Sequence, residues 1–272
     1  MKINIFLTGG AGFIGSNFFD CFKKKFNIKK INTKKIIRKV NYKKNLELLF
    51  QKHKPSVVIH FAAYYSKTNY TKENKLSKKV NFEFSKTLFY LSKKYHVKYF
   101  INTSTVAEFY RGQFYKKYHY TLYKRKFTKF LNKHKKNYPK ILQMYLNNTY
   151  GLNDKRDKLI PKLINQIKKK KITIYKTNYI LDFVSVNILN KYIASKILCQ
   201  NYNDEEILIK SSKLLTLKKI IDALMLKSTK IYYKKNEQKN YYIHNSIKKI
   251  KIVTLKSNLL SWVKKVLRYK LI

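Results

Sequence analysis

A chain of 272 residues and 32.8 kDa with 44% hydrophobic content is long enough to bury a substantial core, which excludes extended disorder. Its formal net charge of +49 comes almost wholly from lysine, 57 of the 62 basic residues, leaving five arginines for the bidentate base contacts a sequence-specific nucleic-acid reader would use. Lysine, asparagine, isoleucine, tyrosine and phenylalanine share AT-rich codons, so the charge reads as coding bias over a solvated surface, and no specific nucleic-acid partner is expected. Two cysteines without CxxC spacing and six scattered histidines predict neither a disulfide framework nor a metal site. The sequence has no apolar run approaching the ~18 residues of a membrane span and no signal-peptide pattern, so it predicts a soluble cytoplasmic protein.

The first strand is signalled by Ile3, Ile5 and Leu7 alternating with Asn4 and Phe6, and "TGGAGFIGSNF" follows it directly. Apolar residues then recur at Ile14, Phe18 and Phe22, the period of an amphipathic helix. A helical stretch around Leu46, Leu49 and Phe50 stops before Pro55 and leads to a strand in "SVVIHFAA", residues 56–63. Further strands are predicted at 97–105, 141–146, 172–175 and 206–210, with helices near 80–94, 120–134, 158–169 and 188–199. This alternation predicts an α/β fold, a Rossmann-type doubly wound parallel sheet with a small C-terminal substrate lobe. The expected division is a dinucleotide-binding domain at 1–150 and a substrate lobe at 151–272, with segment 172–199 returning to the main sheet.

Between strand and helix, Gly9, Gly12 and Gly15 form GxxGxxG, a close variant of the dinucleotide fingerprint. Glycine suits the tight turn and the close approach of a diphosphate, and the helix start offers backbone N–H donors from Phe13, Ile14 and Gly15. Four of the chain's six glycines fall in this one turn, which argues against an ordinary loop.

"TGGAGFIGS" followed by "HKPSVVIHFAA" resembles the extended short-chain dehydrogenase/reductase family, the NAD-dependent epimerase/dehydratase group of nucleotide-sugar enzymes. His60, Ala62 and Ala63 match the family's HxAA segment, placed there on the fourth strand, and the resemblance implies that Phe61, Ala62 and Ala63 line the cofactor. It continues through Asn81, "INTST", "NNTYG", "LDFVSVNIL" and "SNLLSWVKKVL", and so covers most of the chain.

By the same resemblance, "YTLYK" supplies the Tyr-x-x-x-Lys pair, Tyr120 and Lys124, and Thr105 fills the family's Ser/Thr position. The two side chains lie one helical turn apart on one face. A tyrosine ionises near 10, too high for a good base at neutral pH, and a neighbouring ammonium lowers that value. Tyr120 is then the acid/base, Lys124 its electrostatic helper and a ribose ligand, and Thr105 orients the substrate oxygen. In a chain with 24 Tyr and 57 Lys the pattern alone is weak, and its weight comes from the motifs around it. Tyr115 and Tyr118 are expected at the edge of the site.

Three departures narrow the expected reaction. Val106 and Ala107 stand where a 4,6-dehydratase of the family carries Asp-Glu, although Glu108 lies close by. The 15 positions from Thr105 to Tyr120 are fewer than in epimerases of the group and resemble the CDP-abequose synthase kind of NDP-4-keto-deoxysugar 4-reductase. Thr33 and Lys34, with Lys35, follow the second strand where an NAD enzyme places an acid, which favours NADPH over NAD. The family's adenine-contacting Asp after its third strand falls on Lys39 or Asn41, and its RDF arginine on Leu181. Asn148 matches a substrate-side asparagine, while Lys162 or Lys171 could meet a substrate diphosphate.

The resemblance thus implies NADPH-dependent reduction of a nucleotide-linked 4-keto-6-deoxysugar for polysaccharide synthesis, in a homodimer. An NAD-dependent nucleotide-sugar 4-epimerase and a non-catalytic dinucleotide- or nucleic-acid-binding protein remain the alternatives.

Overall fold

The computed structural model of the chain describes residues 2–65, 70–112, 118–175, 180–224, 230–234, 242–243 and 245–268. β1 (Asn4–Thr8) enters the glycine turn and α1 (Phe13–Phe22) leaves it. β2 (Asn27–Ile31), α2 (Thr33–Ile37), α3 (Tyr42–His53) and β3 (Val57–His60) follow. A long helical segment then joins α4 (Thr71–Lys78), a π-helical turn (Lys79–Phe84) and α5 (Ser85–Lys94). After it come β4 (Tyr99–Thr105), a 3₁₀ turn (Val106–Phe109), β5 (Tyr110–Arg111), α6 (His119–Asn132) and β6 (Lys140–Leu146).

The remainder of the chain runs β7 (Asn148–Tyr150), α7 (Leu159–Lys168), β8 (Lys171–Tyr175), β9 (Ile180–Ser185) and α8 (Val186–Leu198). It continues through β10 (Glu205–Ser211), β11 (Leu214–Thr216), α9 (Leu217–Leu224), β12 (Lys230–Lys234), β13 (Tyr242–Ile243), β14 (Lys251–Leu255) and α10 (Leu259–Arg268).

Seven strands form the main sheet in the order β14-β10-β6-β4-β3-β1-β2. β1 is parallel to both β2 and β3, and β4 is parallel to β3 and β6. The chain therefore winds outward from β1 to β2 and then crosses to β3 on the other side, a topological switch point where open α/β sheets bind ligands. β3 is buried along its whole length, as an interior parallel strand must be, which explains its uninterrupted apolar run.

HxAA sits on the third strand of this chain, not the fourth. No strand separates β2 from α3; Asn32 instead caps α2, its Oδ1 accepting from the Lys35 backbone N at 3.0 Å. Ile36 and Ile37 bury the inner side of that short helix. Lys39 and Asn41 thus follow a helix: the N of Lys39 bonds Ile36 O, and Asn41 caps α3.

The chain divides into two compact units: 1–146, 190–208 and 240–252 form the first, and 147–189, 209–239 and 253–272 the second. The first is built on a core in which Phe6, Phe50, Val58, Phe84, Leu88, Phe100 and Phe127 are all essentially inaccessible. Each such side chain contributes about 1.5–3 kcal/mol by leaving water. The second has its own core, with Tyr150, Leu163, Ile172, Ile220 and Val263, and two small sheets, β11-β9-β7 and β12-β8.

The segment 172–199 supplies no strand to the main sheet, although its residues from 190 onward belong to the first unit. β8 pairs with β12 and β9 lies between β11 and β7, so the returning strands are β10 and β14. The apolar run of β9 satisfies its backbone against β7 and β11 within the second unit.

Candidate active site

The glycine turn is shaped by backbone packing. Gly9 has φ +71°, and a Cβ there would stand 2.5 Å from the Ala62 backbone N. A Cβ on Gly15 would collide with the Gly9 carbonyl oxygen, so α1 can start close under the turn only without a side chain at that position. Gly12, the exposed N-cap of α1, differs: its Cβ would meet only Gly9 O, in a tight contact at 3.2 Å.

No side chain caps α1. Its first N–H groups and the exposed Gly12 fit the diphosphate of a dinucleotide, which is the arrangement that helix starts offer to phosphates. Phe13 and Ile14 position this helix end through their carbonyls, which accept from Asn17 Nδ2 at 2.8 Å and Asn190 Nδ2 at 3.2 Å. At the end of β2, the Thr33 hydroxyl oxygen is buried without a hydrogen-bond partner among the described residues, and Lys34 is exposed.

A buried polar chain ties the turn to the end of β3. The Ala62 N–H donates to Thr8 Oγ1 at 3.3 Å, Thr8 Oγ1 lies 2.7 Å from His60 Nδ1, and His60 Nε2 lies 2.8 Å from Ser85 Oγ. Ser85 in turn donates to Val80 O at 3.2 Å. Because Ser85 donates onward to Val80 O, its oxygen accepts from His60 Nε2–H. Burial, followed by the nearby Lys124 charge, holds His60 well below the usual histidine range, which favours the neutral ring with Thr8 donating to Nδ1.

Phe61 continues the pairing of β3 with β1, its N–H donating to Thr8 O at 3.2 Å, and Ala63 is exposed at the strand end. The π turn aims Asn81 at the next residue. Asn81 accepts from Tyr64 N and donates to Tyr64 O, both at 2.8 Å, and so clamps the segment that carries Tyr65. π turns of this kind recur at functional sites. Tyr65 packs edge-on against Tyr120, with ring centroids 5.2 Å apart.

Thr105 ends β4 and caps the 3₁₀ turn, its Oγ1 accepting from Ala107 N at 3.2 Å, which leaves its O–H to donate elsewhere. Lys124 projects from α6 to the same strand end, where Nζ donates to Thr103 O at 2.8 Å. Burial lowers Lys124 to about 8, against the opposing pull of Glu108. The fold thus gathers Gly9, Gly12, Ala62, Thr105, Tyr120 and Lys124 at the C-terminal ends of β1, β3 and β4 and on the helix beside them. Tyr118 is buried at the start of α6, and Tyr115 lies outside the described residues.

The second unit holds the remaining residues singled out in the sequence. Asn148 is exposed on β7, donating to Asp182 O at 3.3 Å. Asp182, beside Leu181, is occupied structurally: it accepts from Ser211 N at 2.8 Å and Asn147 Nδ2 at 2.9 Å. Lys162 pairs with Asp157 at 2.8 Å and Lys171 lies over the Tyr232 ring. The sequence gives no signal for Ser104, Ser85 and Tyr65, and offers Glu108 only as an acid close to where a dehydratase carries Asp-Glu. Glu108 is 3% exposed and accepts a hydrogen bond from Ser104, which its apolar neighbours Val106, Ala107 and Phe109 could have hinted at. Among the described residues no cluster of His, Cys, Asp and Glu could hold a metal, and no helix is long and apolar enough to cross a membrane.

A parallel sheet with a glycine turn between β1 and α1 at its switch point is the arrangement of a dinucleotide-binding fold. Residues 5–187 match the NAD dependent epimerase/dehydratase family, and the chain belongs to it. A search of curated proteins gives no significant match.

Among solved structures, the chain is similar to the UDP-glucose 4-epimerase of Thermotoga maritima with UDP-glucose, at 20% identity and TM-score 0.76 over 99% of this chain and 100% of that one. It is similar to a GDP-mannoheptose C4 reductase from Campylobacter jejuni with NADP bound, at 13% identity and TM-score 0.78 over 99% and 98%. A third is an NAD-dependent NDP-hexosamine 5,6-dehydratase involved in tunicamycin biosynthesis, at 15% identity and TM-score 0.71 over 91% and 90%.

Proposed function

We propose that this protein uses NADPH to reduce the 4-keto group of a nucleotide-linked 6-deoxysugar. The observation that carries the reading is the buried Lys124 ammonium, anchored on Thr103 O at the end of the strand that bears Thr105 and set one helical turn from Tyr120.

The glycine turn and the start of α1 would hold a nicotinamide cofactor, which would supply the hydride. Thr105 donates its O–H to the ketone oxygen and fixes it. Tyr120 gives that oxygen its proton, and the fixed charge of Lys124 stabilises the phenolate left behind.

Val106 and Ala107 offer no acid to a sugar, and Glu108 is turned into the protein, which supports reduction over dehydration. For NADPH, the support is the unsatisfied Thr33 hydroxyl, the exposed Lys34, and Asn32 at the end of β2, whose side-chain oxygen is engaged in capping. The similarity to a C4 reductase with NADP bound points the same way. A homodimer through the π turn with α5 (80–94) and through α6, and a substrate contact from Asn148, belong to the same proposal.

The NAD-dependent 4-epimerase reading draws on the full-length similarity to the Thermotoga enzyme. It would require NAD to be retained through the cycle.

The test is NADPH oxidation by purified protein with CDP-, dTDP- and GDP-linked 4-keto-deoxysugars, with Tyr120→Phe as control. Turnover with one of them, lost in the variant, is the expected result. Copurified NAD and interconversion of C4 epimers without NADPH oxidation would replace the reductase with the epimerase. Salt-sensitive nucleic-acid binding indifferent to NADPH and to Tyr120→Phe would favour a non-catalytic protein.

A further inference from the structure

We propose that Tyr65 is a positioning residue for the proton transfer: its ring, packed edge-on against Tyr120, holds the Tyr120 phenol in one orientation. The proposal rests on the role of Tyr120 given above.

Two observations carry it. The first is the ring geometry. Tyr65 meets Tyr120 with centroids 5.2 Å apart and planes at 68°, and Tyr118 closes the group, its centroid 6.3 Å from Tyr65 and 6.0 Å from Tyr120. These are separations and angles that aromatic pairs favour, so turning one ring away gives up contact with both of the others.

The second is how both rings are rooted. Asn81, 1% exposed, accepts from Tyr64 N and donates to Tyr64 O, and its amide also donates to Ser77 Oγ at 3.0 Å. Tyr64 itself reaches α4, its hydroxyl donating to Glu73 Oε1 at 2.7 Å. From the other side the Tyr123 hydroxyl donates to Asn74 Oδ1 at 2.8 Å, which bonds α6 to the same helix. Two consecutive residues of α4 therefore tie down the residue before Tyr65 and the turn that carries Tyr120.

This frame answers a weakness of the helix. Tyr120 is the second residue of α6, in the first turn, where N–H groups lack intrahelical acceptors and the chain frays most readily. Backbone bonds there leave the direction of the side chain open, whereas a ring on a clamped strand end limits it. Tyr65 is 49% exposed, so a variant without its ring is expected to fold.

Tyr65→Ala removes the ring and Tyr65→Phe keeps it. In the full-length protein Tyr65→Ala is expected to lower kcat for the nucleotide ketosugar about tenfold, with KM and NADPH affinity little changed, and Tyr65→Phe to recover most of the loss. Undiminished kcat in Tyr65→Ala overturns the proposal. So does a Tyr65→Phe protein as slow as Tyr65→Ala, which would credit the hydroxyl and not the ring. A second measurement needs no turnover: fluorine relaxation of 3-fluorotyrosine encoded at position 120 reads the mobility of that ring. Mobility is expected to rise in Tyr65→Ala and to stay near the wild-type level in Tyr65→Phe, and unchanged mobility in Tyr65→Ala overturns the proposal. Raised mobility in a protein that turns over no nucleotide ketosugar supports the contact and instead refutes the reductase reading.

Discussion

Lys124 Nζ lies 2.8 Å from the carbonyl oxygen of Thr103, two residues before Thr105 on the same strand. This bond fixes the lysine to the strand that presents the hydroxyl, so helix and strand act as one frame for Tyr120. Tyr120→Phe is expected to lower kcat by about 10²–10⁴-fold with cofactor affinity nearly unchanged. Stopped-flow turnover beside fluorescence titration of NADPH separates the two effects. Equal loss of both would mean that the tyrosine supports the fold of the site and not the proton transfer.

The first two positions of the GxxGxxG turn fail differently. Gly9→Ala must place a methyl 2.5 Å from Ala62 N at φ +71°, and a loss of about 3 kcal/mol of stability is expected. Gly12→Ala has one tight contact, Gly9 O at 3.2 Å, and is expected to fold with a smaller loss, while its methyl would project where the proposed cofactor diphosphate would approach. Thermal melting and cofactor titration on the two variants should give opposite rankings. A stable Gly9→Ala protein would contradict the backbone packing described for β1 and β3.

His60 gives a pH dependence with a definite sign. Its value in the folded protein is held well below 6.5 by burial and by Lys124, so its contribution to stability is present above 6.5 and is lost as pH falls toward the depressed value. His60→Gln is expected to melt lower than the wild type at neutral pH and to lose less stability on acidification from about pH 7 to pH 5. Parallel melting curves for the two proteins over that range would show that His60 is not buried in its neutral form.

Cofactor choice is tested at the end of β2. Lys34→Asp is expected to weaken NADPH about tenfold relative to NADH, because it replaces the cation proposed beside the 2′-phosphate with an acid. Isothermal titration with both cofactors reads the ratio directly. An unchanged ratio would remove Lys34 from the site.

What was legible in the sequence is what short stretches of chain specify alone. Alternation in "KINIFLT" and the unbroken "SVVIH" mark β1 and β3, helical spacing marks α1, α3 and α6, and Gly9, Gly12 and Gly15 mark the turn between β1 and α1. Tyr120 and Lys124 share a helix, so their relation also followed from spacing. α4 was missed because "TKENKLSK" carries one large apolar residue, Leu76, and is stabilised by packing on α6 and the π turn.

Tertiary structure decided the rest, because the deciding partners lie tens of residues apart. The polar stretch after β2 could not show that a strand expected from the family's layout is absent; that followed from Asn32 capping a helix whose Ile36 and Ile37 are buried. The apolar residues of β9 fitted a return to the main sheet equally well until β7 and β11 supplied its hydrogen bonds. Glu108 reads in sequence as an acid close to Thr105 among apolar neighbours, and only the convergence of β4, α6 and the 3₁₀ turn removes it from water and turns it onto Ser104.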